Sequence, residues 1–200
     1  MDANRGLLGV KHREGNKMTV VTADVALGWK AADFALDGIE GKIWRLADVR
    51  GPKGTMVMFI CNHCPYVKGA IARIVRDAEE LKGHGIGAIA IMPNDVAAYP
   101  EDSFDNMKRF AREHGLTFPY VIDRTQAVAR AYSAQCTPDF FGFDAGLALR
   151  YRGRIDAGGK SEVPGAPREL YGAMVEIAAT GNGPKTQAPS IGCSIKWRAA

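Results

Sequence analysis

Apolar residues run unbroken over Met56-Val57-Met58-Phe59-Ile60 and again over most of Ile86 to Met92. Runs of this length, bounded by Gly51-Pro52-Lys53-Gly54 before the first and Pro93-Asn94-Asp95 after the second, predict strands buried on both faces. Between them the pattern changes. Val67, Ile71, Ile74, Val75, Ala78 and Leu81 recur at helical spacing, which predicts a helix to about Lys82, stopped by Gly83-His84-Gly85. Strand, helix, strand is the grammar of a right-handed crossover joining two parallel strands.

Short alternating stretches flank this unit. Asp33-Phe34-Ala35-Leu36 and Lys42-Ile43-Trp44-Arg45-Leu46 alternate across the turn-rich Asp37-Gly38-Ile39-Glu40-Gly41, which predicts a hairpin. A helix is expected from Ser103 to His114, capped by Asp102 or Ser103 and closed by Gly115. Phe118 to Ile122 reads as a strand, and Gln126 to Tyr132 as a short helix with Val128 and Ala131 inward. Asp139 to Phe143 and Leu147 to Tyr151 form a second hairpin around Asp144-Ala145-Gly146, and Arg168 to Ala179 an amphipathic helix. The class is α/β, a mixed central sheet with helices on both faces. Residues 1–22 read as a flexible N-terminal extension, 23–180 as the domain and 181–200 as a C-terminal tail. The apolar Ile191, Ile195 and Trp197 should dock that tail on the domain or on a partner subunit, which leaves a homodimer open.

Composition narrows the function. The chain has 200 residues, 46% of them hydrophobic and 24% charged, enough for one domain with a core. Its net charge of +4 is scattered without interleaved aromatics, which argues against nucleic acid. No apolar run reaches membrane-helix length, and Met1 to Lys17 has no apolar stretch of a secretory signal, so a cytoplasmic setting is expected. Structural disulfides are rare there, so the four cysteines, Cys61, Cys64, Cys136 and Cys193, call for another role.

Cys61-Asn62-His63-Cys64 stands where the first buried strand hands over to its helix. Unpaired amides and the positive end of the dipole favour thiolate at such a place. Two thiols three residues apart can meet and form a reversible disulfide. Cys61, at the helix start and the more exposed position, is expected to attack a substrate disulfide, and Cys64 to resolve the mixed disulfide. His63 is placed to stabilise the Cys61 thiolate; Pro65 is tolerated where helix amides lack partners anyway. Half of a zinc site completed by Cys136, Cys193 or a histidine is the competing reading, weakened because neither cysteine has a second Cys-x-x-Cys spacing. Asn94, Asp95 and Tyr99 follow the second parallel strand at the edge where open α/β sheets bind ligands. Arg109 and Arg124 are candidates for supporting a peroxide or a thiolate.

The order of elements with this motif at the first crossover helix resembles the thioredoxin fold. Gly28 to Leu36, Gly41-Lys42 and Leu46-Ala47-Asp48 resemble the N-terminal hairpin of the redoxin group, the alkyl hydroperoxide reductase/thiol-specific antioxidant proteins and their thioredoxin-like relatives. Further segments resemble peroxiredoxin-like thioredoxin family proteins with Cys-x-x-Cys: Asn94 to Pro100, Phe118-Pro119-Tyr120, Cys136 to Phe141 and Ile191 to Trp197. The resemblance implies a cis-proline loop at Thr137-Pro138 facing the disulfide, its exposed backbone able to pair with an extended substrate. Two departures stand out. Ile60 and Asn62-His63 replace the Trp and Gly-Pro of thioredoxin proper, while Cys64-Pro65 keeps the Cys-Pro step of peroxiredoxins with Cys61 in the position of their Thr or Ser. The implied activity is thiol–disulfide exchange through Cys61 and Cys64, supported by Asn62, His63, Pro65, Thr137 and Pro138. Cys136 and Cys193 are auxiliary thiols or inert core residues. Thiol peroxidase activity is the alternative, and copper or zinc delivery a weaker one. The partners implied are a disulfide-containing protein or small molecule and a thiol reductant; no cofactor, metal, nucleic acid or membrane is expected.

Overall fold

The computed structural model describes residues 11–14, 17–22 and 26–199. Its elements, in chain order, are β1 (Lys11–Glu14), β2 (Lys17–Val21), β3 (Ala35–Gly38), β4 (Ile43–Arg45), α1 (Leu46–Val49), β5 (Gly54–Phe59), α2 (Pro65–Lys82) and β6 (Ile86–Met92). There follow a 3-10 turn at Pro100–Asp102, α3 (Phe104–His114), β7 (Tyr120–Ile122), α4 (Ala127–Ala131), β8 (Cys136–Thr137), β9 (Asp139–Asp144), β10 (Leu149–Gly153), α5 (Glu169–Thr180) and β11 (Ile191–Ser194).

The main sheet has the order β10-β9-β5-β6-β7-β3-β4. β5, β6 and β7 run parallel, and β9, β10, β3 and β4 make antiparallel pairs at its flanks. Alternation along β5 divides the core. Met56, Met58 and Ile60 join the cluster beneath α2, α3 and α5, while Val57 and Phe59 join Phe34, Tyr132, Phe141 and Phe143 on the other face. Both faces of the strand are therefore covered, which is why it reads as a continuous apolar run. On the second face the rings of Phe59, Tyr132 and Phe141 meet edge-on, with centroids 5.6–5.7 Å apart.

Helix α2 buries Val67, Ile71, Ile74, Ala78 and Leu81, the stripe its spacing predicts. Gly115 closes α3 in the left-handed conformation, φ 62°, which costs glycine nothing. Three expectations need correction. Neither Asp102 nor Ser103 caps α3 with its side chain: Ser103 occupies the cap position without a side-chain bond, and Asp102 turns away toward the redox motif. In α4 Ala129 rather than Ala131 is buried beside Val128; Ala131, at the end of the helix, is exposed, and Tyr132 after it fills the core instead. Within the stretch read as a flexible extension, Lys17–Val21 is a strand held by β11; residues 1–10 lie outside the described residues.

A second sheet, β1-β2-β11-β8, meets the first at Pro138, between β8 and β9. The 181–200 tail enters it as β11, so the tail docks on its own domain. Just beyond Pro138, Asp139 and Arg152 form an ion pair of 3.0 Å with both side chains sealed from solvent. Burial pushes the Asp139 carboxyl up, and the Arg152 guanidinium pulls against that.

Removing one partner of such a pair strands the other. Arg152→Ala should therefore destabilise the domain by roughly 3–5 kcal/mol at neutral pH, read from urea unfolding. The pH dependence has a definite sign. The folded Asp139 pKa lies above its unfolded value, so the group contributes most below the unfolded pKa and loses that contribution as pH rises through the folded pKa. Loss of Arg152 raises the folded pKa further. The deficit of the variant should shrink as the pH is lowered into the carboxylate range, and a deficit that grows on acidification would contradict this account.

Candidate active site

The redox motif lies at the carboxyl end of β5, where the two sheets join. Phe59 pairs with Asp139, and continuing that antiparallel register two residues places Cys61 opposite Thr137. The Thr137–Pro138 bond is cis. Cys61 Sγ is 3.3 Å from Thr137 Oγ1, and the Cys64 thiol donates to the Thr137 carbonyl at 3.0 Å. One residue of β8 thus touches both sulfurs.

The local fold separates the two thiols chemically. Helix α2 begins at Pro65, so Cys64 is its cap residue and Cys61 stands outside the helix. The expectation that Cys61 is the more exposed thiol fails: both are fully buried. Burial raises the Cys61 pKa well above the ordinary thiol value, with hydrogen bonding to Cys64 and the negative charges of Asp102 and Cys64 adding to it; Thr137 acts weakly the other way. Burial also pushes Cys64 up, but the thiols of Cys193 and Cys61 and the backbone amides of Val67 and Cys193 outweigh it, and the Cys64 pKa is lowered. The helix amides and the neighbouring thiols favour the anion at Cys64, the residue at the mouth of the helix, whereas its contact with the Thr137 carbonyl is made by the protonated thiol.

His63 lies close to the Cys61 sulfur, with its ring nitrogen turned to Asp102. Its Nδ1 is 2.7 Å from Asp102 Oδ2, and its ring stacks on Tyr99 with centroids 5.8 Å apart. Asp102 is fully buried and gathers the motif. Its Oδ1 accepts from the backbone amides of Asn62 at 2.8 Å and His63 at 3.3 Å, and its Oδ2 also accepts from Asn94 Nδ2 at 2.8 Å. The Asn62 side chain donates to the Glu101 carbonyl and accepts from the Tyr120 hydroxyl at 3.0 Å. Asn94 continues the chain of bonds: its Oδ1 accepts the amide of Lys196 at 2.9 Å. Gln126 clamps the same tail, donating to the Lys196 carbonyl and accepting from the Arg198 amide.

Of the expected site residues, Asn62, His63, Pro65, Thr137 and Pro138 all lie at this junction, with Asn94 and Tyr99 on its rim. Asp95 reaches the tail through its backbone, which donates to the Lys196 carbonyl. Cys193 comes within reach of Cys64. Cys136 turns to the Pro138 carbonyl at 3.4 Å, and burial and the Asp139 charge raise its pKa. Arg109 and Arg124 do not join the site: Arg109 bonds Asn106 and Arg124 faces Asp37. Asp102 and Tyr120 were not foreseen as site residues. Atoms of metal-ligating type on Cys61, His63 and Asp102 lie within 4.8 Å of one another. His63 and Asp102 are spent on each other and on the amides around them, an arrangement suited to holding protons. Beside the cis-proline, Tyr66, Ala70, Pro138, Phe140 and Ile191 line a narrow apolar crevice.

Comparison with known proteins agrees with this geometry. The AhpC/TSA family model matches residues 27–160. Thiol-disulfide oxidoreductase ResA of Geobacillus thermodenitrificans is 33% identical over 136 residues, covering 64% of this chain and 69% of that protein. An uncharacterised conserved protein of Geobacillus kaustophilus is 43% identical with a TM-score of 0.86, covering 91% of this chain and 97% of that one. A hypothetical protein of Sinorhizobium meliloti is 34% identical with a TM-score of 0.85, covering 90% and 99%. The thioredoxin domain of a thiol-disulfide oxidoreductase from Bacteroides vulgatus, 17% identical at a TM-score of 0.55 over 64% of this chain and 89% of that one, shares the fold. A redox motif at a strand–helix junction, faced by a cis-proline on this fold, matches what the sequence comparison says: the chain belongs to the AhpC/TSA family.

Proposed function

We propose that this protein is a thiol–disulfide oxidoreductase in which Cys64 attacks and Cys61 resolves. The observation that carries the reading is the shared contact with Thr137, which holds Cys61 and Cys64 side by side while the helix terminus favours the anion on only one of them. The ResA relatives, named for this activity, support it.

The Cys64 thiolate attacks one sulfur of a substrate disulfide, forming a mixed disulfide and expelling the other sulfur as a thiolate. This removes both the Cys64 charge and the Cys64 hydrogen bond, two of the causes that hold the Cys61 pKa up. Cys61 then loses its proton more readily, attacks Cys64 Sγ and releases the second substrate thiolate, leaving a Cys61–Cys64 disulfide. The substrate thiolate expelled in the first step can take that proton. A thiol reductant returns the pair to the dithiol.

Both sulfurs are covered, so exchange requires the rim to open. The cover consists of short segments: the His63–Tyr99 stack, and β11 with the tail gripped by Asn94 and Gln126. Peroxide reduction is less supported, since neither candidate arginine reaches the thiols.

The reduced wild-type protein should show thiolate ultraviolet absorbance at neutral pH that disappears only on acidification, because a lowered pKa keeps Cys64 ionised below the ordinary thiol range. Cys61→Ser should keep that absorbance, while Cys64→Ser should lose both it and disulfide turnover. The opposite pattern of absorbance would reverse the assigned roles. Asp102→Asn should lower the Cys61 pKa by removing a negative charge, seen as faster alkylation of Cys61 at a given pH in a Cys64→Ser background. It should also cost roughly 1–3 kcal/mol of stability, because an amide group then faces the donors that the carboxylate accepted.

A further inference from the structure

We propose that Cys193 is a third redox thiol of this site, one that resolves a mixed disulfide on Cys64 in competition with Cys61. It rests on the reading that Cys64 is the attacking thiol. The placement comes from the second sheet. In β11 Cys193 pairs with Thr137 of β8, the residue whose carbonyl takes the Cys64 thiol and whose hydroxyl meets Cys61. Thr137 therefore has Cys61 at one side and Cys193 at the other. The Cys193 side chain hydrogen-bonds to Cys64. All three cysteines belong to one apolar cluster, and Cys193 is only 3% exposed.

The approach of β11 is built into its sequence. A Cβ on Gly192 would lie 2.2 Å from the Thr137 carbonyl oxygen and 3.1 Å from the Pro138 nitrogen, so only glycine lets the strand come this close. The strand is also secured beyond the cysteine. Ile195 donates its amide to the Gln135 carbonyl, and Asn94, Asp95 and Gln126 hold Lys196. Extended backbone against β8 is what the cis-proline loop was expected to offer a substrate; here the chain supplies its own, with a thiol at the residue beside the redox pair. Cys136, the other thiol at this loop, is committed to the Pro138 carbonyl and is not part of the proposal.

The chemistry needs only the substrate disulfide as oxidant. Once the Cys64 thiolate holds one half of the substrate, Cys193 attacks Cys64 Sγ. The bond from Cys64 to the substrate sulfur breaks, a Cys64–Cys193 bond forms, and the substrate leaves as a thiolate that takes the Cys193 proton. The product is oxidised by two electrons, like the Cys61–Cys64 form, but it retains a Cys61 thiol and ties β11 covalently to the start of α2.

Glutathione disulfide is a sufficient probe. The reduced full-length wild type, Cys61→Ser, Cys193→Ser and the double variant are each incubated with it, alkylated, and read by intact mass and disulfide mapping. In Cys61→Ser the expected product is a Cys64–Cys193 disulfide with no glutathione attached. Adding Cys193→Ser should abolish that disulfide and leave a stable glutathione adduct on Cys64. A Cys61→Ser protein that keeps the adduct with Cys193 still alkylatable overturns the proposal. So does a Cys61→Ser protein untouched by glutathione disulfide while Cys193→Ser forms Cys61–Cys64, an outcome that also assigns the attack to Cys61. Should Cys61→Ser fold poorly, the wild type decides instead: a Cys64–Cys193 linkage among its mapped disulfides supports the proposal, and Cys61–Cys64 alone overturns it. A wild type that stays fully reduced overturns the disulfide-exchange reading and the proposal with it.

Discussion

Burying a carboxylate without compensation costs several kcal/mol, and Asp102 is buried completely. Its compensation is the framework of the site. Two backbone amides of the redox motif, the His63 ring and the Asn94 amide all turn their N–H groups toward its two oxygens. These donors come from the turn after β5 and the loop after β6, which the parallel pairing of the two strands brings to the same end of the sheet. By satisfying one carboxylate they fix the conformation of the Cys61–Cys64 turn before any substrate arrives. Asn94 then transmits the constraint to the C-terminal tail through Lys196, so the two covers of the dithiol share an anchor.

The same carboxylate divides the labour of the two cysteines. Its negative charge adds to burial in keeping Cys61 protonated, while Cys64 lies where the helix presents amides and where Cys193 adds a thiol donor. Two thiols with matched pKa values would compete for one proton. Here the site imposes an order, with the charge on Cys64 first and a reserve proton on Cys61. In the proposed reaction, release of that reserve follows consumption of the Cys64 charge, which would couple the resolving step to formation of the mixed disulfide.

What could be seen in the sequence was what short-range periodicity encodes. The apolar run of β5, the stripe of α2 and the hairpin signals at residues 33–46 and 139–151 all depend on residues a few positions apart, and the structure reproduces them. Asp102 shows where such reading ends. A carboxylate just before a helix looks like a cap, and nothing local reveals that it reaches back 39 and 40 residues to His63 and Asn62. The start of α2 was the other weak point. Placing Cys61 at the helix mouth assigned it the helix amides; beginning the helix at Pro65 transfers them to Cys64 and reverses the electrostatics. A shift of three residues at a helix end is trivial for the fold, yet it changes which sulfur the helix amides face.

The strand β11 explains why the sulfurs are covered even though the fold usually leaves such a motif at an edge. Ile191-Gly192-Cys193-Ser194 is short and holds a glycine, so by composition it belongs with the Gly- and Pro-rich tail around it. Its partners give it order: β2 on one side and β8 on the other supply the hydrogen bonds that its own sequence could not demand. Cys193 and, just past the strand, Ile195 enter the apolar clusters on the two faces of the main sheet, so the tail is packed as well as hydrogen-bonded. The strand that covers the dithiol therefore carries a cysteine to Thr137.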